Sequence, residues 1–232
     1  MDIAIIPARG GSKRIPKKNI KLFCGKPIMQ YSIEAALHCD IFDEIMVSTD
    51  NEEIAGIALK CGAKIPFMRS SETSSDTATT SDVIDEVLLE YQKMGRIFDY
   101  FVCIYPTAPF VTNEKIKEAM KILAESGCDS LLPVVKFSFP PQRGMIIENN
   151  RVQMKYPEHL NTRSQDLDPM YHDCGQFYCG KVDAFLKQKK LIMNQTLPFI
   201  ISELEVQDID NEEDWEIAEI KYKYIKKNKW DN

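Results

Sequence analysis

Apolar and polar residues follow two regular patterns along the first part of the chain. Short apolar runs, which are typical of buried strands, occupy residues 2–8, 44–49, 100–105 and 130–135. Between these runs, apolar residues recur at the three- to four-residue spacing of an amphipathic helix, in residues 27–39, 51–60, 81–93 and 112–125. Strands that alternate with helices need crossover connections, so the pattern predicts an α/β fold with a mostly parallel, Rossmann-like sheet covered by helices on both faces.

The regular pattern breaks between residues 136 and 170. This stretch has a hairpin-like segment at 145–154 and no helical spacing. A structureless loop of that length is rare inside a compact domain, so we predict an excursion that packs on a second chain. A strand at 175–180 and a last helix at 211–223 follow. We interpret residues 1–232 as one domain, with 136–170 as a dimerisation insert.

The composition excludes several classes of protein. The 232 residues are 44% hydrophobic and 28% charged, which is ordinary for a globular domain and excludes a disordered chain. Lys and Arg number 29 against 35 Asp and Glu, and the resulting net charge of -6 argues against general nucleic-acid binding, which needs clustered cations. Any polyanionic ligand should therefore be small and bound by a local basic loop.

The cysteines and the lengths of the apolar runs indicate the cellular compartment of the protein. Seven cysteines without a CxxC pair argue against a disulfide framework and against a structural zinc site. The first apolar run is too short for a signal peptide, and no run approaches the roughly 18 apolar residues of a membrane span. We therefore expect a cytoplasmic protein that does not associate with membranes.

The segment directly after the first strand carries the strongest chemical signal. It reads Arg-Gly-Gly-Ser-Lys-Arg-Ile-Pro-Lys-Lys-Asn over residues 9–19 and holds five cations. Ligands of open parallel sheets bind beyond the carboxyl ends of the strands. The backbone N–H groups of Gly10 and Gly11 can approach an anion, and the cations suit a triphosphate. The segment, here called the basic loop, matches neither GxxxxGK[ST] nor GxGxxG, which disfavours an ordinary ATPase and a dinucleotide-dependent dehydrogenase.

Two carboxylates near the end of the chain, Asp208 and Asp210, form a second candidate site. In an extended backbone both side chains point to one face, where Mg²⁺ would relieve their repulsion and share them with substrate phosphates. Asp210 or Asn211 could instead cap the last helix. Asp50 also ends a predicted strand, but we expect it to cap the helix that follows, a role that Asn51 could fill as well.

Taken together, these motifs resemble the CMP-sialic acid synthetase family, the cytidylyltransferases that activate nonulosonic acids. The resemblance runs in order through residues 5–20, Gly25–Pro27, Val47–Asp50, Arg69, Ser75–Ser81, Pro106–Pro109 and Asp208–Trp215. It implies a nucleotidyltransferase sheet, CTP and a nonulosonic acid as substrates, a homodimer, and a Mg²⁺ cofactor held by Asp208 and Asp210.

The resemblance also implies roles for single residues. Those implied to bind the nucleotide are Arg9, Gly10, Gly11, Ser12, Lys18, Asn19, Arg69, Thr79 and Thr80. Those implied to act in catalysis are Arg9, Lys17, Asp208 and Asp210, with Lys17 or Lys18 facing the phosphates. Arg69 and Thr80 fall where the family contacts cytosine and ribose, and Thr79 is a close alternative to Thr80. The implied reaction is in-line attack of the sugar's anomeric hydroxyl on the α-phosphate, which asks mainly for positioning and charge neutralisation. The base stays open between a metal-activated hydroxyl and a side chain such as Asp208.

The predicted sugar pocket departs from the sialic acid pattern. Tyr105 stands where sialate-specific members usually have Gln, and Cys174 stands where they usually have Asn. Losing amides that would bind hydroxyl groups favours a deoxygenated sugar acid. Residues 137–144, 163–166 and 171–178 resemble the branch that acts on pseudaminic acid, a diacetamido, trideoxy sugar found on flagellins and surface glycans of some bacteria. The residues expected to bind the sugar are Tyr105, Arg143, Lys155, Arg163, Gln176 and Tyr178, with the three basic ones in the insert lent to the partner's active site.

Three alternatives follow from the same motifs. The reaction could use sialic, legionaminic or 3-deoxy-manno-octulosonic acid instead. The chain could be an inactive nucleotide-binding regulator, although an intact basic loop and aspartate pair disfavour this. A nucleotidyltransferase of the glucose-1-phosphate type would share the first loop but fits Asn19, Arg69 and the late aspartates poorly.

Overall fold

Strands alternate with helices through most of the chain, as the apolar pattern predicts. A computed structural model describes residues 1–230. The strands are β1 (Asp2–Pro7), β2 (Leu22–Phe23), β3 (Lys26–Pro27), β4 (Glu44–Ser48), β5 (Tyr100–Ile104), β6 (Ser130–Lys136), β7 (Met145–Glu148), β8 (Arg151–Met154), β9 (Tyr171–Asp173), β10 (Phe177–Lys181) and β11 (Thr196–Ile200). The α-helices are α1 (Ile28–Leu37), α2 (Glu52–Lys60), α3 (Thr80–Lys93), α4 (Asn113–Ser126), α5 (Val182–Gln188) and α6 (Glu212–Trp230).

Within residues 1–230, five of the seven strands of the central sheet run in one direction and β9 and β10 run in the other, which confirms the predicted α/β fold class. Within residues 1–230 it has seven strands, six of them in the order β11-β6-β10-β5-β1-β4, and β9 pairs with β6. β1 lies between β4 and β5 and is parallel to both, and β11 is parallel to β6. β10 is antiparallel to both of its neighbours, β5 and β6, an inversion that the apolar pattern does not encode.

Helices cover both faces of the sheet because β1 is apolar on both. Ile3 and Ile5 pack with residues of α3 and α5, whereas Ala4 and Ile6 pack with residues of α1, α2 and α4. All four side chains are fully buried. Successive strand residues point to opposite faces, so this single strand contributes to both cores. Within residues 1–230, no helix is long and apolar enough to cross a membrane.

A third apolar cluster fastens the end of the chain to the basic loop. This anchor cluster consists of Ile15, Phe23, Ile28, Tyr31, Phe110, Ile209, Trp215 and Ala218. Ile15 comes from the basic loop, and Ile209 lies between the two aspartates predicted to hold the metal; each is 1% exposed. Phe23 packs edge-on against Trp215 of α6, with ring centroids 5.6 Å apart. The cluster therefore brings two segments almost 200 positions apart in sequence to one place.

The insert at 136–170 has the predicted hairpin. β7 and β8 form a separate two-stranded sheet, joined by Asn149 and Asn150, which both have positive φ as a tight hairpin turn requires. The insert otherwise contains short 3-10 turns and no α-helix. Its apolar residues Ile147 and Val152 pair across the hairpin and are 75% and 64% exposed. That the insert packs on a second chain stays a prediction.

We expect the anchor cluster to stabilise the fold through Ile209. Ile209→Ala removes a buried side chain and should lower the free energy of unfolding by about 2–4 kcal/mol, because the cavity left behind cannot fully close. Ile220→Ala, the same change at a residue of α6 that is 67% exposed, should cost less than about 0.5 kcal/mol. Urea denaturation of both variants measures this, and equal losses would contradict the assignment.

Candidate functional site

One cavity of about 480 Å³ opens at the carboxyl ends of β1 and β5, where open α/β sheets bind ligands. It also receives the start of α3 and residues just before α6. The predicted site residues that line it are Arg9, Gly11, Ser12, Lys18, Asn19, Arg69, Thr79, Thr80, Tyr105 and Asp210. The structure thus brings together most of the residues predicted to bind a nucleotide, together with one of the two aspartates.

The basic loop meets the late aspartates directly. Nη2 of Arg14 donates a hydrogen bond to Oδ1 of Asp210 at 2.7 Å. Nζ of Lys18 donates to the carbonyl oxygen of Ile209 at 2.7 Å and lies 4.0 Å from Oδ1 of Asp210. Burial lowers the pKa of Lys18, while the charges of Asp210 and Asp208 oppose that shift. The basic loop and the aspartate pair, which the sequence shows as two candidate sites, therefore meet in the fold.

Lys17 does not face the cavity, and the structure favours Lys18 between these two alternatives. Lys17 adopts a left-handed backbone conformation, with φ of 54°. Its Nζ donates to Oε2 of Glu53 at 2.6 Å, outside the set of residues that line the cavity. The positive φ turns the chain at Lys17, so the neighbouring lysines point to different sides. The prediction of a catalytic Lys17 is not supported by its position.

Asp50 holds the basic loop and does not cap α2, contrary to the expectation from sequence. Its Oδ1 accepts a hydrogen bond from the backbone N–H of Gly10 at 2.8 Å. Asn51 is the cap of α2, since its Oδ1 accepts from the N–H of Ile54 at 3.1 Å. A Cβ on Gly10 would lie 3.0 Å from Asn51, so glycine allows this approach. The N–H of Gly10, predicted to face an anionic ligand, is therefore occupied by a carboxylate of the chain.

The two late aspartates face different spaces. Asn211 caps α6, because its Oδ1 accepts from the N–H of Asp214 at 3.0 Å, so Asp210 is not needed as the cap. Asp210 lines the first cavity, whereas Asp208 lines a second one of about 500 Å³ with His172 and Asp173. Loss of hydration, followed by the negative charge of Asp210, raises the pKa of Asp208. The pair thus lies at the boundary of two cavities, close enough for each charge to act on the other.

Arg69 and the two threonines occupy the wall formed by β4 and α3. Arg69 is 7% exposed, and its Nε and Nη2 donate to the hydroxyl and carbonyl oxygens of Ser48 at 2.9 and 2.6 Å. Thr79 caps α3 in a capping box with Asp82, which engages its hydroxyl. Thr80 exchanges a hydrogen bond with the hydroxyl of Tyr105 at 2.9 Å. Both threonines line the cavity, and the Thr79 hydroxyl already serves the helix.

The other residues predicted to bind the sugar divide into two groups. Tyr178 is 5% exposed, and its hydroxyl donates to Oδ2 of Asp173 at 2.6 Å, while its ring packs against Tyr105 at 5.4 Å between centroids. Gln176 is 2% exposed, and its Nε2 donates to the carbonyl oxygen of Glu205 at 2.6 Å. Neither Tyr178 nor Gln176 lines the first cavity.

The three basic residues of the insert also lie outside the first cavity. Arg143 donates to the carbonyl oxygen of Thr162 at 3.4 Å, and Arg163 forms an ion pair with Asp166. Lys155 is exposed and directly follows β8. Within one chain they therefore do not reach the nucleotide end of the site.

Sequence reasoning gave no individual role to three residues at the site. Lys13 and Arg14 line the cavity but count in the sequence only as members of a cationic run, since spacing does not tell which side chains point inward. Asp76 belongs to a motif that carries the family resemblance, and it binds both Arg9 and Lys13. Its contact with the basic loop spans more than 60 positions and left no local signal.

The arrangement fits the binding of a small polyanion. Arg9, Lys13 and Lys18 line one cavity with a half-buried carboxylate, Asp210. Guanidinium and ammonium groups form strong hydrogen bonds with phosphate oxygens. No group of three His, Cys, Asp or Glu that could hold a metal occurs within residues 1–230. Any cation held at Asp208 and Asp210 would therefore need further oxygen ligands from a substrate or from water.

Comparison of the chain with known proteins identifies the family to which it belongs. A family model described as cytidylyltransferase matches residues 3–212. Pseudaminic acid cytidylyltransferase from Campylobacter jejuni subsp. jejuni serotype O:2 is 42% identical over 96% of each chain. CMP-N,N'-diacetyllegionaminic acid synthase from Legionella pneumophila is 33% identical over 94% of each chain.

Solved structures share the fold at lower identity. CMP:2-keto-3-deoxy-manno-octonic acid synthetase complexed with CTP has a TM-score of 0.67 and 15% identity, over 94% of this chain and 97% of that one. The 4-diphosphocytidyl-2C-methyl-D-erythritol synthase of Anaerococcus prevotii has a TM-score of 0.64 and 15% identity, over 96% and 98%. With the family model and full-length relatives above 30% identity, the chain belongs to the cytidylyltransferase family.

Proposed function

We propose that the protein transfers CMP from CTP to the anomeric hydroxyl of pseudaminic acid and releases pyrophosphate. The observation that carries the proposal is the convergence of the basic loop and Asp210 in one cavity. It occurs in a chain that shares 42% identity over nearly its whole length with a relative bearing the name of this activity.

The chain's own residues supply charge neutralisation and positioning. The in-line displacement at the α-phosphate builds negative charge on the transferred group and on the leaving pyrophosphate. Arg9, Lys13 and Lys18, already held by hydrogen bonds, meet this charge with little rearrangement. Arg69 and Thr80, which line the same cavity, would hold the nucleoside end. The resulting alignment accounts for catalysis without a covalent enzyme intermediate.

Asp208 and Asp210 line different cavities, but their charges interact, so together they would hold a Mg²⁺ ion that is shared with substrate at the boundary of the two. Both supply hard carboxylate oxygens, and their charges interact. With no third protein ligand in a cluster within residues 1–230, phosphate oxygens and water would have to complete the shell, as is usual for Mg²⁺ in nucleotide enzymes. When bound, the ion would neutralise phosphate charge and activate the leaving group. To bind the ion, Asp210 would have to release Arg14, with which it forms an ion pair.

The sugar end of the cavity favours a deoxygenated acid. The hydroxyl of Tyr105 is already hydrogen-bonded to Thr80, so its ring presents mainly apolar surface. An apolar wall leaves the hydroxyl groups of a more oxygenated sugar without partners, which disfavours such a sugar by roughly 100-fold. The carboxylate of the sugar needs a cation, and Arg143, Lys155 and Arg163 can supply one only from a second chain, which supports a homodimer.

Substrate competition tests the choice of sugar acid. With CTP and Mg²⁺ present, pseudaminic acid should be converted about 100-fold more efficiently than N-acetylneuraminate, because the site lacks partners for the extra hydroxyls. Release of pyrophosphate and mass spectrometry of the CMP-sugar measure the ratio, with N,N'-diacetyllegionaminic acid as the closest competitor. Equal turnover of N-acetylneuraminate would overturn the substrate assignment.

Removing either late carboxylate should abolish most of the turnover. Asp208→Asn and Asp210→Asn keep the side-chain volume but remove a charge that would hold Mg²⁺, so kcat should fall by at least about 100-fold. Glu213→Gln, an exposed neighbour in the first turn of α6, makes the same charge change and should leave kcat nearly unaltered. Undiminished pyrophosphate release by the two aspartate variants would exclude the proposed mechanism.

The homodimer is tested at the hairpin of the insert. The double variant Ile147→Ser/Val152→Ser removes the exposed apolar pair of β7 and β8 and should shift the protein from dimer to monomer in light scattering. Activity should fall with it, since the basic residues of the insert would no longer reach a second site. Leu59→Ser/Ile97→Ser alters residues that are 56% and 68% exposed elsewhere and serves as the control. A wild-type monomer, or a variant that stays dimeric, would argue against the predicted interface.

A further inference from the structure

Asp76 joins the two walls of the nucleotide cavity. Its Oδ1 accepts a hydrogen bond from Nη1 of Arg9 at 3.1 Å, and its Oδ2 accepts one from Nζ of Lys13 at 2.5 Å. The same Nη1 donates to the carbonyl oxygen of Ser75 at 3.1 Å. Arg9 and Lys13 belong to the basic loop, whereas Asp76 lies in the segment just before α3. One carboxylate thus fixes two cations of one wall to the other wall.

The two cations keep donors for a ligand while they hold Asp76. Both Arg9 and Lys13 line the cavity. Nε and Nη2 of Arg9 make no hydrogen bond within residues 1–230, and Lys13 has two further N–H groups beyond the one directed to Asp76. A triphosphate could therefore bind to the unused donors without displacing the carboxylate.

Electrostatics explains why a carboxylate is needed here. Arg9 and Lys13 carry like charges, and without an anion between them they would repel each other and separate in the nucleotide-free protein. Asp76 binds one cation with each of its oxygens, and Lys13 above all keeps the pKa of Asp76 below its ordinary value, so the carboxylate stays charged. The paired cations are then arranged before the nucleotide arrives, which lowers the cost of ordering them on binding.

We propose that Asp76 is a positioning residue that gathers Arg9 and Lys13 on the side of the cavity that receives the nucleotide triphosphate. The inference rests on the proposed function, because it takes CTP as the ligand. Asp76 itself does not line the cavity and acts through the two cations. The opposite possibility is that Asp76 only competes with the triphosphate for them.

The two possibilities predict opposite signs for one substitution. Removal of a negative charge near the site, by itself, should strengthen the binding of a polyanion. If Asp76 competes, Asp76→Asn should bind CTP more tightly than the wild type does. If Asp76 positions the cations, the same variant should bind CTP more weakly, against the general electrostatic trend.

Calorimetric titration of the nucleotide-free protein with CTP, without sugar acid, distinguishes a positioning role of Asp76 from competition. Asp76→Asn should raise the Kd for CTP about tenfold, because Arg9 and Lys13 would no longer be held in position for their charge-assisted contacts with the triphosphate. Cytidine, which lacks phosphates, should bind the variant and the wild type alike. Glu72→Gln is the matched control: it removes one charge from the same segment, where the exposed Glu72 side chain makes no ion pair within residues 1–230. This control should bind CTP as well as the wild type or better.

Asp76→Glu keeps the charge and should recover part of the affinity, which a general loss of folding would not produce. Unchanged or tighter CTP binding by Asp76→Asn overturns the inference while leaving the proposed function intact. A parallel loss of cytidine affinity also overturns it, because the defect would then not lie at the phosphates. Failure of the wild-type protein to bind CTP would remove the proposed function itself.

Discussion

The burial of Ile15 and Ile209 in one apolar cluster is the constraint on which the site depends. Ile15 is the apolar residue among the charges of the basic loop, and Ile209 separates two aspartates; each is 1% exposed. Burial of such a side chain contributes about 1.5–3 kcal/mol, more than an exposed ion pair does. Since Arg14 and Asp210 are the chain neighbours of these two residues, their 2.7 Å contact follows from the apolar packing.

Charge balance then determines the shape of the basic loop. Its cations are paired with acids from three separate segments, represented by Glu53, Asp76 and Asp210. Exposed ion pairs of this kind contribute little stability, so their main effect is on geometry. Together with Asp50 on the N–H of Gly10, they hold an otherwise self-repelling loop in a defined form. The ligand-free loop is in this way already organised for a polyanion.

Much of this fold was predictable from sequence because the responsible patterns are local. The apolar runs gave the parallel strands, and paired Asn residues are typical of the tight turn that joins β7 and β8. The antiparallel direction of β10 and the outward turn at Lys17 depend on tertiary packing and one backbone angle, which spacing does not encode. Asp50 illustrates the same limit: its position suits a cap, but its neighbour Asn51 fills that role and frees it for a contact 40 positions away.

The proposed sugar specificity and the proposed dimer depend on each other through charge. Asp208 and Asp173 both border the second cavity, and Tyr178 links that wall to Tyr105. The carboxylate of a sugar acid placed there would be repelled by these aspartates unless a cation accompanied it. Lys221, at the same cavity, donates to the carbonyl oxygen of Val206 at 2.8 Å and keeps its positive charge, so it is one cation that could meet the carboxylate. A cation from the insert of a second chain, as proposed, would add to the charge of Lys221, so a site completed by two chains would bind an acidic sugar more tightly once the dimer has formed.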